Sequence, residues 1–328
     1  MTMLFFLIIF LPYGTISFPE IREITGAAQG TSYTVKYVGG KEQVTQVQLD
    51  SIFRVVDHSL SLYEPASLIN SFNREGAVKM DEHMRNVVNE SLLCYKESSG
   101  SFDITTGALT ELWGFGKVRH QNIPSAADVK KQLTITGSKY LLVKGDSLIA
   151  LKKGIRIDCN GIAQGYTVDL VAAFMSSRGV GQFMVELGGE IRVKGEHPEK
   201  GPWRIGVESP DVLAGDWHPV QQVIGLNNAS ITTSGNYRKY FNAGGKMYSH
   251  VIDPLKGRPV ENGIIAVTVI AADAMKADAW DNALYVMGVE KAMKYLQTRN
   301  DLQAYIVYRN KEGVVKDTAT AGFMKLLQ

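Results

Sequence analysis

Phe183-Met184-Val185-Glu186-Leu187-Gly188-Gly189-Glu190-Ile191-Arg192-Val193 is the stretch on which the fold class turns. Two short apolar runs rich in β-formers flank a Gly-Gly pair, which predicts two strands joined by a tight turn. For the turn itself, Glu186 to Glu190, a bulged hairpin and a ligand-binding loop are both open readings. Just upstream, Ile162 to Arg178 reads as a helix closed by Gly179. Working outward, Lys139 to Ile157 predicts a second hairpin, Tyr140–Val143 and Leu148–Leu151 about a Gly145-Asp146 turn. Thr31–Val38, Trp203–Glu208, Val220–Leu226, Ile264–Ile270 and Ala304–Tyr308 alternate or run apolar and predict further strands. Helical spacing is found over Gln46–Leu60, Arg85–Ser98, Asp273–Met287 and Val289–Arg299. Strands dominate and helices come in blocks. The expectation is therefore an α+β fold of mixed or antiparallel sheets with packed helices, not a doubly wound sheet.

Composition narrows the function classes. The apolar share is 45%, the charged share 21% and the net charge +2. These values are ordinary for a globular chain and leave no basic footprint for nucleic acid. Leu4 to Leu11 is an unbroken apolar run, followed by Gly14-Thr15-Ile16-Ser17. Residues 1–17 are expected to be a secretory signal peptide and 18–328 a single exported domain, periplasmic or otherwise extracytoplasmic. The start Met1-Thr2-Met3 lacks Lys and Arg, and a buried N-terminal strand is the alternative. No Cys follows the run, so no lipid anchor on Cys is available. The chain holds two cysteines, Cys94 and Cys159, too few for a disulfide framework. Both are expected to be buried free thiols.

The chemistry concentrates between residues 232 and 288. Thr232-Thr233-Ser234-Gly235-Asn236-Tyr237-Arg238 reads as a Gly-containing polar turn, and His250 stands beside Ser249 in Tyr248 to Pro254. Asp278, Asp281 and Asn282 share one face of a helix, because they are three and four residues apart. Three oxygen donors suit a hard cation such as Mg²⁺ or Ca²⁺ and not zinc. A solvated acidic face is the plain alternative. Asp158 to Tyr166 enters a helix after a strand, and helix-start N–H groups favour an anion. An ordinary N-cap with packing glycines explains the same residues. Tyr63, before Glu64-Pro65, suits stacking on an aromatic ligand or packing of the turn. Ser101 to Gly107 and Leu112-Trp113-Gly114-Phe115-Gly116 form a Gly/Thr/aromatic loop. Neither a Gly-x-Gly-x-x-Gly after a strand nor a phosphate-loop Lys-Ser/Thr is present, which disfavours a Rossmann dehydrogenase and a P-loop enzyme.

Taken together and in order, these segments resemble the ApbE family, the FAD:protein FMN transferases. The similarity runs from about Ala27 to Gly288. It is carried by Gln29-Gly30-Thr31, Ser61 to Asn73, Phe102-Asp103-Ile104-Thr105 with Leu112 to Gly116, and Asp158 to Asp169. Glu186 to Glu190, Thr233 to Tyr237 and Ser249 to Pro254 follow. The resemblance implies Mg²⁺-dependent cleavage of FAD. FMN would pass through a phosphoester to a Ser or Thr hydroxyl of a target protein, and AMP would leave. It further implies a metal site of Asp278, Asp281, Asn282 and the Gly161 carbonyl, with Mg²⁺ or another divalent cation such as Ca²⁺. FAD contacts would come from Gln29, Tyr63, Ser101, Phe102, Asp103, Asp158, Gln164 and Val251, with His250 as base and Glu186 in support. The acceptor is expected in an extracytoplasmic electron-transfer chain. An FAD pyrophosphatase giving FMN and AMP, and an FAD-binding protein without turnover, are the other readings. Four positions depart from the family pattern. Asn282 stands where Thr is usual, Asp281 where Ala is frequent, Gln164 for a frequent Lys and Gln29 for Met. The Asn carbonyl is still an oxygen ligand, neutral and on a longer side chain. These departures bear on affinity, rate and metal preference.

Overall fold

The first and last described strands form the opposite edges of one eight-stranded sheet. Its spatial order is Ile21–Ala28, Thr31–Val38, Phe183–Leu187, Glu190–Lys194, Ala229–Gly235, Ile264–Ala271, Gln303–Arg309 and Val315–Ala319. Every neighbouring pair is antiparallel. The computed structural model describes residues 20–39, 44–117, 119–208, 220–235, 240–243 and 246–328. The α+β expectation holds, and the Gly188-Gly189 hairpin lies inside this sheet, with Leu187 opposite Glu190.

The alternation of side chains explains the layering. Tyr33, Val35 and Tyr37 point to one face and are buried with Phe183, Val185 and the 163–177 helix. The Ile264–Ala271 strand is buried at every position, because both its faces are covered. Val267 and Val269 meet Trp280 and Leu284 of the 274–287 helix, whereas Ile265 and Ile270 meet Trp203 and Ile205. The second group comes from a two-stranded ribbon, Trp203–Glu208 with Val220–Leu226, on the far face. The helix layer comprises Gln46–Leu60, Glu82–Glu97, Ala163–Ser177 and Ala274–Met287. Trp280 is 1% exposed, so its truncation to Ala would cost about 3–5 kcal/mol in lost burial and cavity.

Local signals account for most element ends. Gln46–Leu60 begins at a reciprocal capping box between Thr45 and Gln48. Glu82–Glu97 begins three residues before the Arg85 expected from periodicity, because the Asp81 carboxylate caps the Met84 N–H at 2.8 Å. Ala163–Ser177 ends into Gly179 at φ +75°, the left-handed closure that its sequence predicts.

Other expectations need correction. Thr232 to Gly235 is not a turn but the end of the Ala229–Gly235 strand, paired there with Ile264–Ala271, while only Ala229–Ile231 also pair with Glu190–Lys194. Its hydroxyls mimic a turn in sequence, but they alternate across a pleat. Residues 236–238 of that segment lie outside the described residues. The second strand of the 139–157 hairpin stops at Ala150, where Ser147–Ala150 pairs with Leu141–Lys144 and Ala77–Lys79. The chain from residue 151 to the 163–177 helix is loop with one isolated bridge, Thr106 to Arg156, so no strand enters that helix. The last long helix covers Val289–Leu296 and not the whole span to Arg299. The strands Ile21–Ala28 and Val315–Ala319 and the helices Leu68–Glu75 and Ala126–Leu133 were not anticipated. Cys94 and Cys159 are free and buried, as expected. Among the described residues no helix is long and apolar enough to cross a membrane. The expected leader, residues 1–17, lies outside them.

Candidate functional site

Two helices that start side by side build the densest part of the site. The 274–287 helix is capped by Asp273, which accepts from the Lys276 N–H at 2.9 Å. Its first two N–H groups, Ala274 and Met275, are also taken by Asp169 of the 163–177 helix, at 3.0 and 2.9 Å. In return Asp278 Oδ2 accepts the Gly165 N–H in the first turn of the 163–177 helix, at 2.9 Å. Each helix thus supplies a carboxylate to the positive end of the other. Only glycine fits at 165: a Cβ there would lie 2.3 Å from the Ala274 carbonyl oxygen and 2.8 Å from the Asp278 Cβ.

Asp278 and Asp281 are 4% and 1% exposed, so the solvated-face alternative does not hold. Burial is the main reason both carboxyls are pushed well above the usual carboxylate range. The Glu190 charge adds to the rise at Asp278, and the Asp278 charge adds to it at Asp281. The Gly165 N–H pulls the other way at Asp278, as does the Thr232 side chain at Asp281. Such a site favours a positive charge between its oxygens. Among the described residues no three His, Cys, Asp or Glu side chains converge on one point. A cation here would draw on two carboxylates completed by neutral oxygens.

Asn282 supplies the connection to Gly161, but not in the sense expected. Its nitrogen, not its oxygen, faces the cluster: Nδ2 donates to the Asp281 Oδ1 and the Asp278 carbonyl, each at 3.0 Å, and to the Gly161 carbonyl at 3.4 Å. Its Oδ1 accepts the Ser234 hydroxyl at 3.2 Å. The reason is that three acceptors surround one end of the amide and a hydroxyl the other.

The remaining expected residues fall into two groups. Near the carboxylates, the Phe102 ring lies 3.7 Å from where a Gly161 Cβ would sit, and the Gln164 amide lies 3.2 Å from that of Gly188. Gln29, at φ 51° in the turn between the first two strands, donates Nε2 to the Thr167 hydroxyl at 3.1 Å. Asp158 folds its loop by accepting the Asn160 N–H at 2.9 Å, and its own N–H is held by the Ile104 carbonyl at 2.7 Å. The second group lies along the 101–117 segment, which includes the short helix Gly107–Leu112. Phe115 meets His250 edge-on, ring centres 6.5 Å apart. The neighbouring Lys117 reaches Asn70 Oδ1 at 3.1 Å. Asn70 Nδ2 in turn donates to the carbonyls of Ser61, Leu62 and Glu64. Tyr63, in that loop, is 69% exposed and free to stack on a ligand. Val251 is buried in the same apolar cluster as Phe102.

Asp103 is engaged by the protein. Its carboxylate takes four bonds, from the N–H and hydroxyl of Thr105 and of Ser138, at 2.7 to 3.0 Å. It holds the 101–106 loop in place, and half-buried Ser101 begins that loop. Sequence reasoning missed Gly165, Asp169, Thr232 and Glu190 as contributors. Asp169 stands four residues after Gly165 on the same helix face, the one local signal that pointed to it. A cavity of about 350 Å³, lined by Thr31, Ser32, Glu186 and Thr233, lies on the other face of the sheet from Thr232.

Comparison with known proteins identifies relatives of the whole chain. The model of the ApbE family matches residues 29–306. The FAD:protein FMN transferase of Vibrio cholerae (strain O395) is 33% identical over 316 residues, 94% of this chain and 93% of that protein. The one from Escherichia coli K12 is 34% identical over 310 residues, 90% of this chain and 85% of that protein. Among solved structures, the flavin transferase ApbE from Vibrio cholerae superposes at a TM-score of 0.84, with 31% identity, over 94% of this chain and 99% of that one. The apo flavinyl transferase ApbE of Pseudomonas stutzeri gives 0.85, with 33% identity, over 95% and 98%.

Proposed function

This chain belongs to the ApbE family, and from that premise we propose the chemistry its site performs. It is an FAD:protein FMN transferase. The acceptor group is a Ser or Thr hydroxyl of a target protein. Its oxygen attacks the FMN phosphorus of FAD, the bond to the AMP phosphate oxygen breaks, and AMP leaves with that oxygen. The product is a phosphoester. In-line displacement of this kind asks the protein mainly for positioning and charge neutralisation.

The observation that carries the cation assignment is the buried Asp278–Asp281 pair beside the Gly161 carbonyl. Two carboxylates with neutral oxygens and no sulfur or imidazole fit Mg²⁺, which takes few protein ligands and shares the rest with water and phosphates. Asp278, Asp281, the Gly161 carbonyl and the Asn282 side-chain oxygen, once turned, would hold it. A bound divalent cation would neutralise the pyrophosphate and favour departure of AMP. The 163–177 helix directs its N-terminus at the same place, which suits an anion. Gln29, Gln164, Asp158, Ser101 and Asp103 are assigned to holding FAD, Asp103 by fixing its loop. Tyr63, Phe102 and Val251 supply apolar and aromatic surface for the ring systems. His250, braced by Phe115, takes the proton from the incoming hydroxyl.

The apolar leader supports a reaction outside the cytoplasm, on a protein of an extracytoplasmic electron-transfer chain. A mature N-terminus found at Met1 would refute export by cleavage. The transfer itself is tested by mixing the protein with FAD, Mg²⁺ and a Thr-containing acceptor domain. Mass spectrometry reads the acceptor, and an AMP assay runs alongside. An FMN-sized gain on the acceptor, equal to the AMP released, is expected. AMP without acceptor modification would mean hydrolysis. Bound FAD without AMP would mean no turnover.

A further inference from the structure

The Asn282 amide has two ends with different neighbours. Its nitrogen lies among the Gly161 carbonyl, the Asp278 carbonyl and the Asp281 carboxylate, at 3.4, 3.0 and 3.0 Å. Two of these groups are backbone carbonyls, which only accept. An oxygen turned toward them would be repelled by both, so the hydrogen-bond network assigns the nitrogen to this side. The oxygen takes the Ser234 hydroxyl at 3.2 Å. A hydroxyl both donates and accepts, so Ser234 serves either orientation of the amide.

We propose that Asn282 is a reversible plug of the cation site. This rests on the cation assignment made above. When the site is empty, the –NH₂ group fills the space between the Gly161 and Asp281 oxygens and satisfies both. For a cation to enter, the amide must turn over about its last side-chain torsion. Oδ1 then faces the cation, and Nδ2 donates to Ser234. The Asp278 carbonyl keeps its backbone partner within the helix. No main-chain movement is required.

The plug sets affinity and apo stability in opposite directions. Cation uptake must first break two amide bonds to groups that are themselves ligands. A residue that offers an oxygen but no –NH₂ would take the cation more tightly and leave the empty site less stable. Such a residue cannot bridge three acceptors, so the empty cluster keeps unsatisfied buried oxygens.

The test compares the full-length chain with Asn282→Thr, without FAD. Mg²⁺ binding is followed by isothermal titration calorimetry, and thermal unfolding is recorded in EDTA. Asn282→Thr is expected to bind Mg²⁺ about tenfold more tightly. Its unfolding temperature in EDTA should fall by roughly 2–4 °C, so its Mg²⁺-induced rise should exceed that of the wild type. Asp281→Asn should abolish uptake in both backgrounds. If the wild type binds Mg²⁺ and Asp281→Asn does not, but Asn282→Thr binds no more tightly or is no less stable in EDTA, the plug is wrong and the cation site stands. If neither wild type nor Asn282→Thr takes up Mg²⁺, both ideas fail. Asn282→Ser carries the same expectations should the Thr variant not fold.

Discussion

Gly165→Ala probes the joint on which the site depends. The added Cβ would sit 2.3 Å from the Ala274 carbonyl oxygen, whereas ordinary contact begins near 3.4 Å. The two helix starts must therefore separate by about 1 Å, and neither partner is a flexible side-chain end. Three effects compete. Alanine in a helix gains about 1 kcal/mol over glycine. Overpacking against backbone costs about 1–3 kcal/mol. Stretching the Gly165 N–H bond to the Asp278 carboxylate forfeits part of an interaction worth about 1.5–3 kcal/mol. The losses win, by about 2–4 kcal/mol, or roughly 3–6 °C in unfolding temperature. Because the lost bond holds Asp278, the Mg²⁺ concentration needed for half-maximal AMP release should rise as well. Urea unfolding and a Mg²⁺ titration of AMP release measure the two effects. Gly181→Ala is the control, since nothing lies within 4 Å of its Cβ position and a change within about 0.5 kcal/mol is expected. A Gly165→Ala protein as stable as wild type, with the same Mg²⁺ dependence, would refute the reciprocal-cap account.

Three further outcomes are expected. Asp278→Ala should lose Mg²⁺-dependent AMP release by about 100-fold or more while FAD still binds; unchanged turnover would remove it from the cation site. His250→Ala should keep FAD affinity within a few-fold and lose about 10²–10⁴ in transfer rate, read by acceptor mass gain. Transfer at the wild-type rate would reject its role as base. The third concerns pH. The Asp278 and Asp281 carboxyls are raised in the folded state, so between the ordinary carboxylate value and the raised ones the folded chain binds more protons than the unfolded. Their contribution to stability in EDTA must then fall as pH rises through that window, and Mg²⁺ should restore more stability at the high end. An Asp278→Asn, Asp281→Asn double variant should lose this slope in a series of melts from acid to neutral pH; an identical slope would contradict the burial argument.

Much of the fold was legible because its signals are local. Capping residues, 3.6-residue spacing and the Gly145-Asp146 and Gly188-Gly189 turns act within a few residues of where they stand. The shared face of Asp278, Asp281 and Asn282 was legible for the same reason, since spacings of three and four determine it. The strand through Thr232 and Ser234 was not. A strand whose helix-facing side is all hydroxyl reads as a turn until the 274–287 helix covers it. The leading strand Ile21–Ala28 was missed because its pattern is half-exposed throughout and marks no clear apolar face.

The sequence by itself determined the α+β class, the four long helices, the motif order and an oxygen-only donor set on one helix face. Tertiary structure alone decided that those donors are buried, and that the Gly165 and Asp278 backbones and side chains interlock across 113 positions of chain. It alone turned the Asn282 nitrogen to the cluster, because the acceptors that orient it come partly from Gly161, 121 positions away. Local propensity acts over one turn of helix or one pair of strands. Charge burial and the direction of an amide depend on which distant oxygens packing brings within about 3 Å.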